Sequence, residues 1–249
     1  MRPRVLRTAQ LAAALIFGAL ALSGVTGCRG TNFLSTKDEV RIGRDASAEV
    51  ERRYKVQTAN ADARRVAAIG ARIVTHCDRR PEVPYSFKVL DANDINAVSL
   101  PGGPVYVYRG LLDLLGSDDD ALACVIAHEV GHIDARHGAK QMSQQIAANL
   151  GVLILLRGQT AQDIGALTTD LLNLSYSRSD EHEADHRALS YAHKAGFQAT
   201  GLVTFFRKLK ELEKGKGRDL EILRTHPYTD TRLGRAERII EKQEYRYGR

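Results

Sequence analysis

The apolar residues of this chain recur with a helical period over most of its length. Within 61–77, one helical face carries the apolar residues Val66, Ile69, Ile73 and Val74. Comparable patterns predict helices over 37–56, 110–115, 142–156, 200–214 and 230–244. The segment 162–194 fits either one long helix or two helices with a break near 175–179. The apolar end of 142–156 is too short to cross a bilayer, so we interpret it as a buried core helix.

Three shorter segments have the features of strands. Residues 85–90 alternate between apolar and polar positions, and 95–100 and 105–108 flank a turn formed by Pro101-Gly102-Gly103-Pro104. A mobile loop is predicted at Gly215-Lys216-Gly217. Many helices with few strands indicate an α+β fold that is mostly helical, with a small β-sheet.

The N-terminus has the pattern of a bacterial lipoprotein signal. Arg2, Arg4 and Arg7 precede an apolar run over 11–22, and the segment ends at Val25-Thr26-Gly27-Cys28. This ending resembles a lipobox, in which the cysteine becomes the acylated first residue. We therefore expect a signal peptide over 1–27, a lipidated Cys28 with a tether to residue 35, and one domain over 36–249. The alternative is an ordinary signal peptide that contains Cys28 by chance.

The charge of the chain changes once this signal is set aside. The sequence has 36 basic and 30 acidic residues, and removal of the three signal arginines leaves 33 against 30, a net charge of +3. This small excess gives no reason to expect a nucleic-acid partner. An oxidising compartment would permit a disulfide between Cys77 and Cys124, but the sequence does not establish one. We interpret Cys124 as a small core residue and not as a metal ligand.

The strongest chemical signal is the stretch His128-Glu129-Val130-Gly131-His132. On a helix, His128 and His132 lie one turn apart on the same face, so both imidazoles can reach one metal ion. Glu129 lies beside that face, where a carboxylate can take a proton from a water activated by zinc. The preceding run over 121–127 is almost wholly apolar, which favours a buried metal site over two solvated histidines. The cost of Gly131 in a helix suggests that another element passes close by.

A catalytic zinc site needs a third protein ligand, and residues 177–186 offer several. Glu181 and Asp185 share one helical face, while His182 and His186 share the next. Glu183 is also available. Spacing alone does not choose among these candidates.

Several motifs together resemble the HtpX and CAAX-prenyl-protease type of zinc metallopeptidase, in the layout of its periplasmic LoiP-like and BepA-like members. The matching stretches are the HEVGH motif, Ser177 to Glu181 with Ala184-Asp185, Asn96 to Gly103, Gly110-Leu111-Leu112, and Thr225-His226-Pro227 with Arg232. The resemblance implies a zincin-like domain over about 36–245 with a small sheet beside the HExxH helix. It also implies one zinc ion per chain, bound by His128, His132 and Glu181.

The resemblance assigns roles to further residues. Glu129 would be the general base, and Asp185 would orient a ligand imidazole. An exposed strand of Asn96, Ala97, Val98 and Ser99 would hold an extended substrate by β-augmentation. Four other histidines are expected at the surface, namely His137, His182, His186 and His193.

The role of His226 stays open between two functions. Pro227 holds His226 out of helical conformation, and the resemblance places this histidine near the metal. There it would either occupy the fourth zinc position as a switch or stabilise the tetrahedral intermediate. A loop-capping role is the alternative to both functions.

These features predict a zinc metalloendopeptidase of the bacterial envelope. We expect polypeptide substrates, lipid anchoring through Cys28, and a role in removing misfolded or misassembled proteins. Arg29 follows the cysteine where an aspartate would favour inner-membrane retention, so we expect the periplasmic side of the outer membrane. A protease-like chaperone or assembly factor for outer-membrane proteins is the main rival, and metal storage is a third hypothesis.

Overall fold

Helices dominate the architecture. The computed structural model describes residues 32–148, 161–216, 220–227 and 229–244. The helices within these ranges are α1 Thr36–Arg53, α2 Ala61–Val74, α3 Arg109–Leu115, α4 Asp119–Asp134, α5 His137–Ala148, α6 Ala161–Leu172, α7 Arg178–Lys194, α8 Thr200–Lys216, α9 Glu221–Thr225 and α10 Thr229–Glu241. The strands are β1 Val56–Gln57, β2 Ser86–Leu90, β3 Ala97–Ser99 and β4 Pro104–Tyr108. The predicted α+β, mostly helical fold is confirmed.

The four strands form one mixed sheet in the order β1-β2-β4-β3. β2 runs parallel to β4, whereas β1 is antiparallel to β2 and β3 is antiparallel to β4. Val98 of β3 pairs with Tyr106 of β4, so the predicted turn at 101–104 does join two antiparallel strands. β3 therefore lies at one edge of the sheet, beside α4.

The HExxH helix α4 is the centre of the core. Every residue from Ala121 to Asp134 is buried, because α4 packs against α2, α7, α8 and the sheet. A Cβ atom added to Gly131 would lie only 3.1 Å from the backbone oxygen of Ala184 on α7. This confirms that another element passes close to Gly131. The small side chain lets α4 and α7 approach closely, and α7 carries the candidate third ligand.

The structure shifts several predicted boundaries. The first helix ends at Arg53, and Val56 pairs in β1 instead. The segment 162–194 forms two helices, with the break at 173–177. Residues 215 and 216 continue α8, so the predicted loop does not begin there, and Gly217 lies outside the described residues.

Other predictions fall on parts of the chain that lie outside the described residues. These are the signal peptide, Cys28 with residues 29–31 of the tether, and the apolar run within 149–160. Cys77 and Cys124 are both free and buried, so they form no disulfide with each other. Over the ranges given above, no helix is long and apolar enough to span a membrane.

Candidate active site

The two motif histidines meet on one face of α4, as their spacing predicts. Nε2 of His128 lies 3.0 Å from Nε2 of His132, and both side chains are buried. Burial lowers the pKa of His132 well below its ordinary value. His132 is therefore neutral, which is the form that binds a metal ion.

Helix α7 brings Glu181 to the same point. Ser177 caps the helix, with its hydroxyl accepting from the Asp180 N–H while the Asp180 carboxylate accepts from the Ser177 N–H. This capping box fixes the first turn of α7, where Glu181 is fully buried. Its Oε1 lies 3.4 Å from Nε2 of His132, and its Oε2 lies 3.5 Å from Nε2 of His128.

The competing candidates on α7 lie elsewhere. His182 and His186 are half-buried on the next helical face, and Glu183 is exposed. Among the described residues, the cluster able to hold a metal ion consists of His128, His132, Glu181 and His226. Of the alternatives that the sequence left open, the structure thus brings Glu181 to the two histidines.

His226 supplies the fourth group of this cluster. It ends α9 with a non-helical backbone (φ −124°, ψ 76°), and its backbone N–H donates to the Ile222 carbonyl at 2.8 Å. Its Nδ1 lies 3.0 Å from Oε1 of Glu181 and 3.3 Å from Nε2 of His128. Burial would lower the pKa of His226, but the carboxylates of Glu181 and Glu129 raise it above its ordinary value.

The spacing of these donor atoms fits zinc. Two ligands of a tetrahedral zinc ion at about 2.0–2.1 Å lie about 3.3 Å from each other. Five of the distances among the histidine nitrogens and the Glu181 oxygens are 3.0–3.5 Å, and the ligand atoms of all four residues lie within 4.8 Å of one another. Oε2 of Glu181 is also buried, with Nη1 of Arg232 at 2.5 Å but without a well-aligned hydrogen bond. The donor set can therefore hold a single zinc ion.

The charge of the buried site fits a divalent ion as well. Three carboxylates, those of Glu129, Glu181 and Asp185, are buried beside one guanidinium, that of Arg232. Burial would raise the pKa of Glu181, but the charges of Arg232 and His226 hold it well below its ordinary value. With neutral histidines, one divalent cation brings the formal charge of this group to zero.

Asp185 contacts His128, and Arg232 contacts both Asp185 and Glu181. Nδ1 of His128 lies 3.0 Å from Oδ1 of Asp185. Arg232 donates to both Asp185 oxygens at 2.7 and 2.8 Å, and its Nη1 lies 2.5 Å from Oε2 of Glu181. Burial would raise the pKa of Asp185, but the Arg232 charge lowers it to about 2.

No role was predicted for Arg232, although the sequence carries a signal for one. Arg232 shares the apolar face of α10 with the buried Ala236 and Ile239. A guanidinium on a buried helical face requires charged partners. The position of Arg232 on the apolar face of α10 therefore indicated that it pairs with buried carboxylates.

Glu129 lies between the edge strand and His226. Its Oε2 accepts a hydrogen bond from Oγ of Ser99 at 2.8 Å, and its Oε1 lies 3.4 Å from Nε2 of His226. The carboxylate is buried beside the donor cluster but is not one of its four members. This is the arrangement expected of a general base.

The edge strand is buried and not exposed as predicted. Asn96, Ala97, Val98 and Ser99 are each no more than 8% exposed. The end of α6 and the segment after it pack over β3, with Leu171, Leu174 and Tyr176 in the same apolar cluster as Val98. Val98 of the strand is therefore buried in one apolar cluster with this segment.

The prediction that His137 lies at the surface is wrong. His137 is 2% exposed, and its Nδ1 lies 2.9 Å from Nδ1 of His132. Tyr176 stacks on the other side of the His132 ring, with ring centroids 3.8 Å apart. His182, His186 and His193 are half-buried, so they too are less exposed than expected.

These features define a class of protein: a zinc metallopeptidase of the HExxH-plus-glutamate type. The sequence profile of peptidase family M48 matches residues 60–240, and the chain belongs to this family. Its members are zinc-dependent metallopeptidases. The predicted family and cofactor are confirmed.

Three individual relatives share 27–29% sequence identity with this chain. The chain is 29% identical over 183 residues to the β-barrel assembly-enhancing protease of Escherichia coli, which covers 69% of this chain and 37% of that protein. It is 29% identical over 193 residues to the metalloprotease LoiP of the same organism, covering 74% and 73%. It is 27% identical over 221 residues to the metalloprotease YcaL of Escherichia coli, which covers 77% of this chain and 84% of that protein. The chain thus spans only about 37% of the length of the first of these relatives.

Proposed function

We propose that this protein is a zinc-dependent endopeptidase of the bacterial cell envelope that degrades misfolded or misassembled envelope proteins. The observation that carries the proposal is the buried cluster of His128, His132 and Glu181 with the Glu129 carboxylate beside it. Membership of peptidase family M48 supports peptide hydrolysis as the reaction. The lipoprotein-like N-terminus and a relative named for β-barrel assembly support the envelope location.

In this proposal, His128, His132 and Glu181 hold the zinc ion. A zinc ion held there would act as a Lewis acid, which would polarise the scissile carbonyl and lower the pKa of the attacking water. Glu129 takes a proton from that water and passes it to the nitrogen of the leaving amine. Ser99 keeps the Glu129 carboxylate in position through its hydrogen bond to Oε2.

Asp185 and Arg232 act through the ligands. Asp185 accepts from Nδ1 of His128, which leaves Nε2 of that ring free to bind the metal. Arg232 holds the Asp185 carboxylate through two hydrogen bonds and offsets part of the negative charge of Glu181. Both residues position the zinc site and do not contact the substrate.

His226 acts as a switch in this proposal. Its Nδ1 lies among the donor atoms, at a distance from His128 and Glu181 that suits a fourth zinc ligand. Bound there, it would exclude the water and the scissile carbonyl. Its position in a turn between α9 and α10 allows it to move without unfolding a long helix.

We propose that an extended substrate pairs with the outer side of β3, from Asn96 to Ser99. The strand ends beside Glu129, so a paired peptide would run past the zinc site. Because Leu171, Leu174 and Tyr176 share an apolar cluster with Val98 of this strand, substrate pairing would require their segment to move.

The decisive experiment compares the purified protein with its Glu129→Gln variant. We expect one zinc ion per chain in both proteins, and casein digestion only by the wild type, because the variant keeps the ligands and loses the base. Appreciable proteolysis by the variant would refute the mechanism. Several zinc ions per chain would instead favour metal storage.

The same variant separates the protease from its main rival, a chaperone-like assembly factor. An inactive Glu129→Gln protein that still rescues assembly of outer-membrane proteins in cells would favour the rival. If the protein is a quality-control protease, the variant will bind unfolded client proteins in a pull-down but will leave them intact. Wild-type protein will remove the same clients.

A further inference from the structure

The two histidines of the HExxH motif have different partners at their second ring nitrogen. Nδ1 of His128 faces a carboxylate directly, with Oδ1 of Asp185 at 3.0 Å. Nδ1 of His132 faces another histidine, with Nδ1 of His137 at 2.9 Å. His137 is not part of the HExxH motif, and both histidines of this second contact are buried.

The direction of this hydrogen bond follows from the metal site. Nε2 of His132 faces the donor cluster, so it must be the unprotonated nitrogen when a metal ion binds there. Nδ1 of His132 then carries the ring proton and donates it to His137. His137 accepts at Nδ1, and its own proton therefore lies on Nε2.

The far side of His137 favours that tautomer. Its Nε2 lies 3.6 Å from Oδ1 of Asp180 and 3.5 Å from Oε2 of Glu183, both on α7. Lys140 contacts Asp180 at 2.9 Å, and Arg187 contacts Glu183 at 2.9 Å. Two carboxylates with their own cationic partners thus face the Nε2–H of a neutral imidazole.

An unusual backbone turn brings His137 to this place. Arg136, between α4 and α5, has a φ of 60°, which is rare for a residue with a side chain. Its guanidinium Nε donates to Oε1 of the buried Glu39 at 2.6 Å, which holds the turn. The chain therefore leaves the helical path directly after α4, and His137, the first residue of α5, contacts the last motif histidine.

We propose that His137 is a positioning residue of the zinc centre, which fixes the tautomer and ring orientation of His132 by accepting its Nδ1–H. The inference rests on the zinc site proposed above. His132 is thereby held between His137 at its edge and Tyr176 on its face. Removal of a partner of this kind lowers the metal affinity about 10–100-fold.

The test measures the zinc dissociation constant by competition with a chromophoric chelator. We expect His137→Ala to raise this constant about 10–100-fold. His137→Asn should recover most of the affinity, because its side-chain oxygen can take the place of Nδ1. His137→Gln should recover less, because its amide takes the place of Nε2 and leaves His132 without an acceptor.

A matched control separates this role from packing. Met142 is a buried residue of the same helix, outside the zinc cluster, and Met142→Ala should lower the unfolding temperature without changing the zinc dissociation constant. The visible absorption of the cobalt-substituted protein gives a second readout. It should change in His137→Ala and His137→Gln but stay close to wild type in His137→Asn and Met142→Ala.

Two outcomes would overturn the inference. One is a zinc dissociation constant in His137→Ala within twofold of the wild type. The other is equal affinity in the asparagine and glutamine variants, which remains informative if the alanine variant fails to fold. Failure of the wild type itself to bind one zinc ion would refute the proposed function instead.

Discussion

Nδ1 of His226 lies 3.0 Å from Oε1 of Glu181, although the two residues are 45 positions apart in the chain. The contact joins the turn after α9 to the first turn of α7 at the centre of the donor cluster. A histidine in this position competes directly with any water or carbonyl oxygen that would approach the metal. The position of His226 therefore predicts that its removal changes the catalytic activity.

His226→Ala should raise proteolytic activity if the histidine is a switch. A closed state favoured by about 1.4 kcal/mol would give an increase of about tenfold. The measurement is the rate of casein cleavage per zinc-loaded chain, with zinc content as the control. A loss of 10²–10³ in the rate would assign His226 to the transition state instead. Unchanged activity with an intact zinc site would exclude both roles.

How far the site could be predicted depends on the range of the contacts. His128 and His132 are one helical turn apart, so local spacing was sufficient to bring them together. Glu181 required more, because both i,i+4 pairs in 181–186 fit the periodicity equally well. The resemblance to a family motif made that choice, and the structure places Glu181 at the cluster.

His137 shows where local reasoning fails. Five residues after His132, it would point away from the site if α4 simply continued. The left-handed backbone at Arg136 ends the helical path, and the Arg136 side chain is held by Glu39, 97 positions earlier. The predicted exposure of β3 fails for the same reason, because Val98 is buried in a cluster with Leu171 and Leu174 from a distant part of the sequence. The fold class, in contrast, could be predicted from the number and type of the helices and strands alone.

Glu181→Ala should empty the metal site, whereas His182→Ala and His186→Ala should not. Of these three residues, only Glu181 contributes a donor atom to the cluster, and the two histidines lie on the next face of α7. The experiment is metal analysis of the three purified variants after equilibration with one equivalent of zinc. Zinc loss in His186→Ala with retention in Glu181→Ala would show that the third ligand has been misassigned.

Cys28→Ser should release the protein from membranes. The prediction rests on the arginine-rich start, the apolar run and the lipobox-like ending of the N-terminal segment. A single substitution removes the thiol that would be acylated and leaves the catalytic domain unchanged. Cell fractionation with labelled palmitate measures both consequences. Membrane association that persists in the variant, or in cells treated with globomycin, would argue against lipidation.

Arg232→Met should destabilise the metal-free protein strongly and the zinc-loaded protein less. Arg232 is buried and pairs with Asp185 and Glu181, so its loss leaves two carboxylates in the core without their cation. Removing one partner of a buried ion pair costs about 3–5 kcal/mol. Zinc replaces part of the missing positive charge at Glu181, and it should therefore recover part of that loss.

The measurement for Arg232→Met is the free energy of unfolding in urea, with zinc and with a chelator. Arg207→Met is the matched control, because Arg207 pairs with Glu237 at the surface with 64% of its side chain exposed. That pair should contribute about 0–1 kcal/mol, independent of zinc. An equal loss in Arg232→Met with and without zinc would mean that Arg232 stabilises the fold without balancing the charge of the metal site.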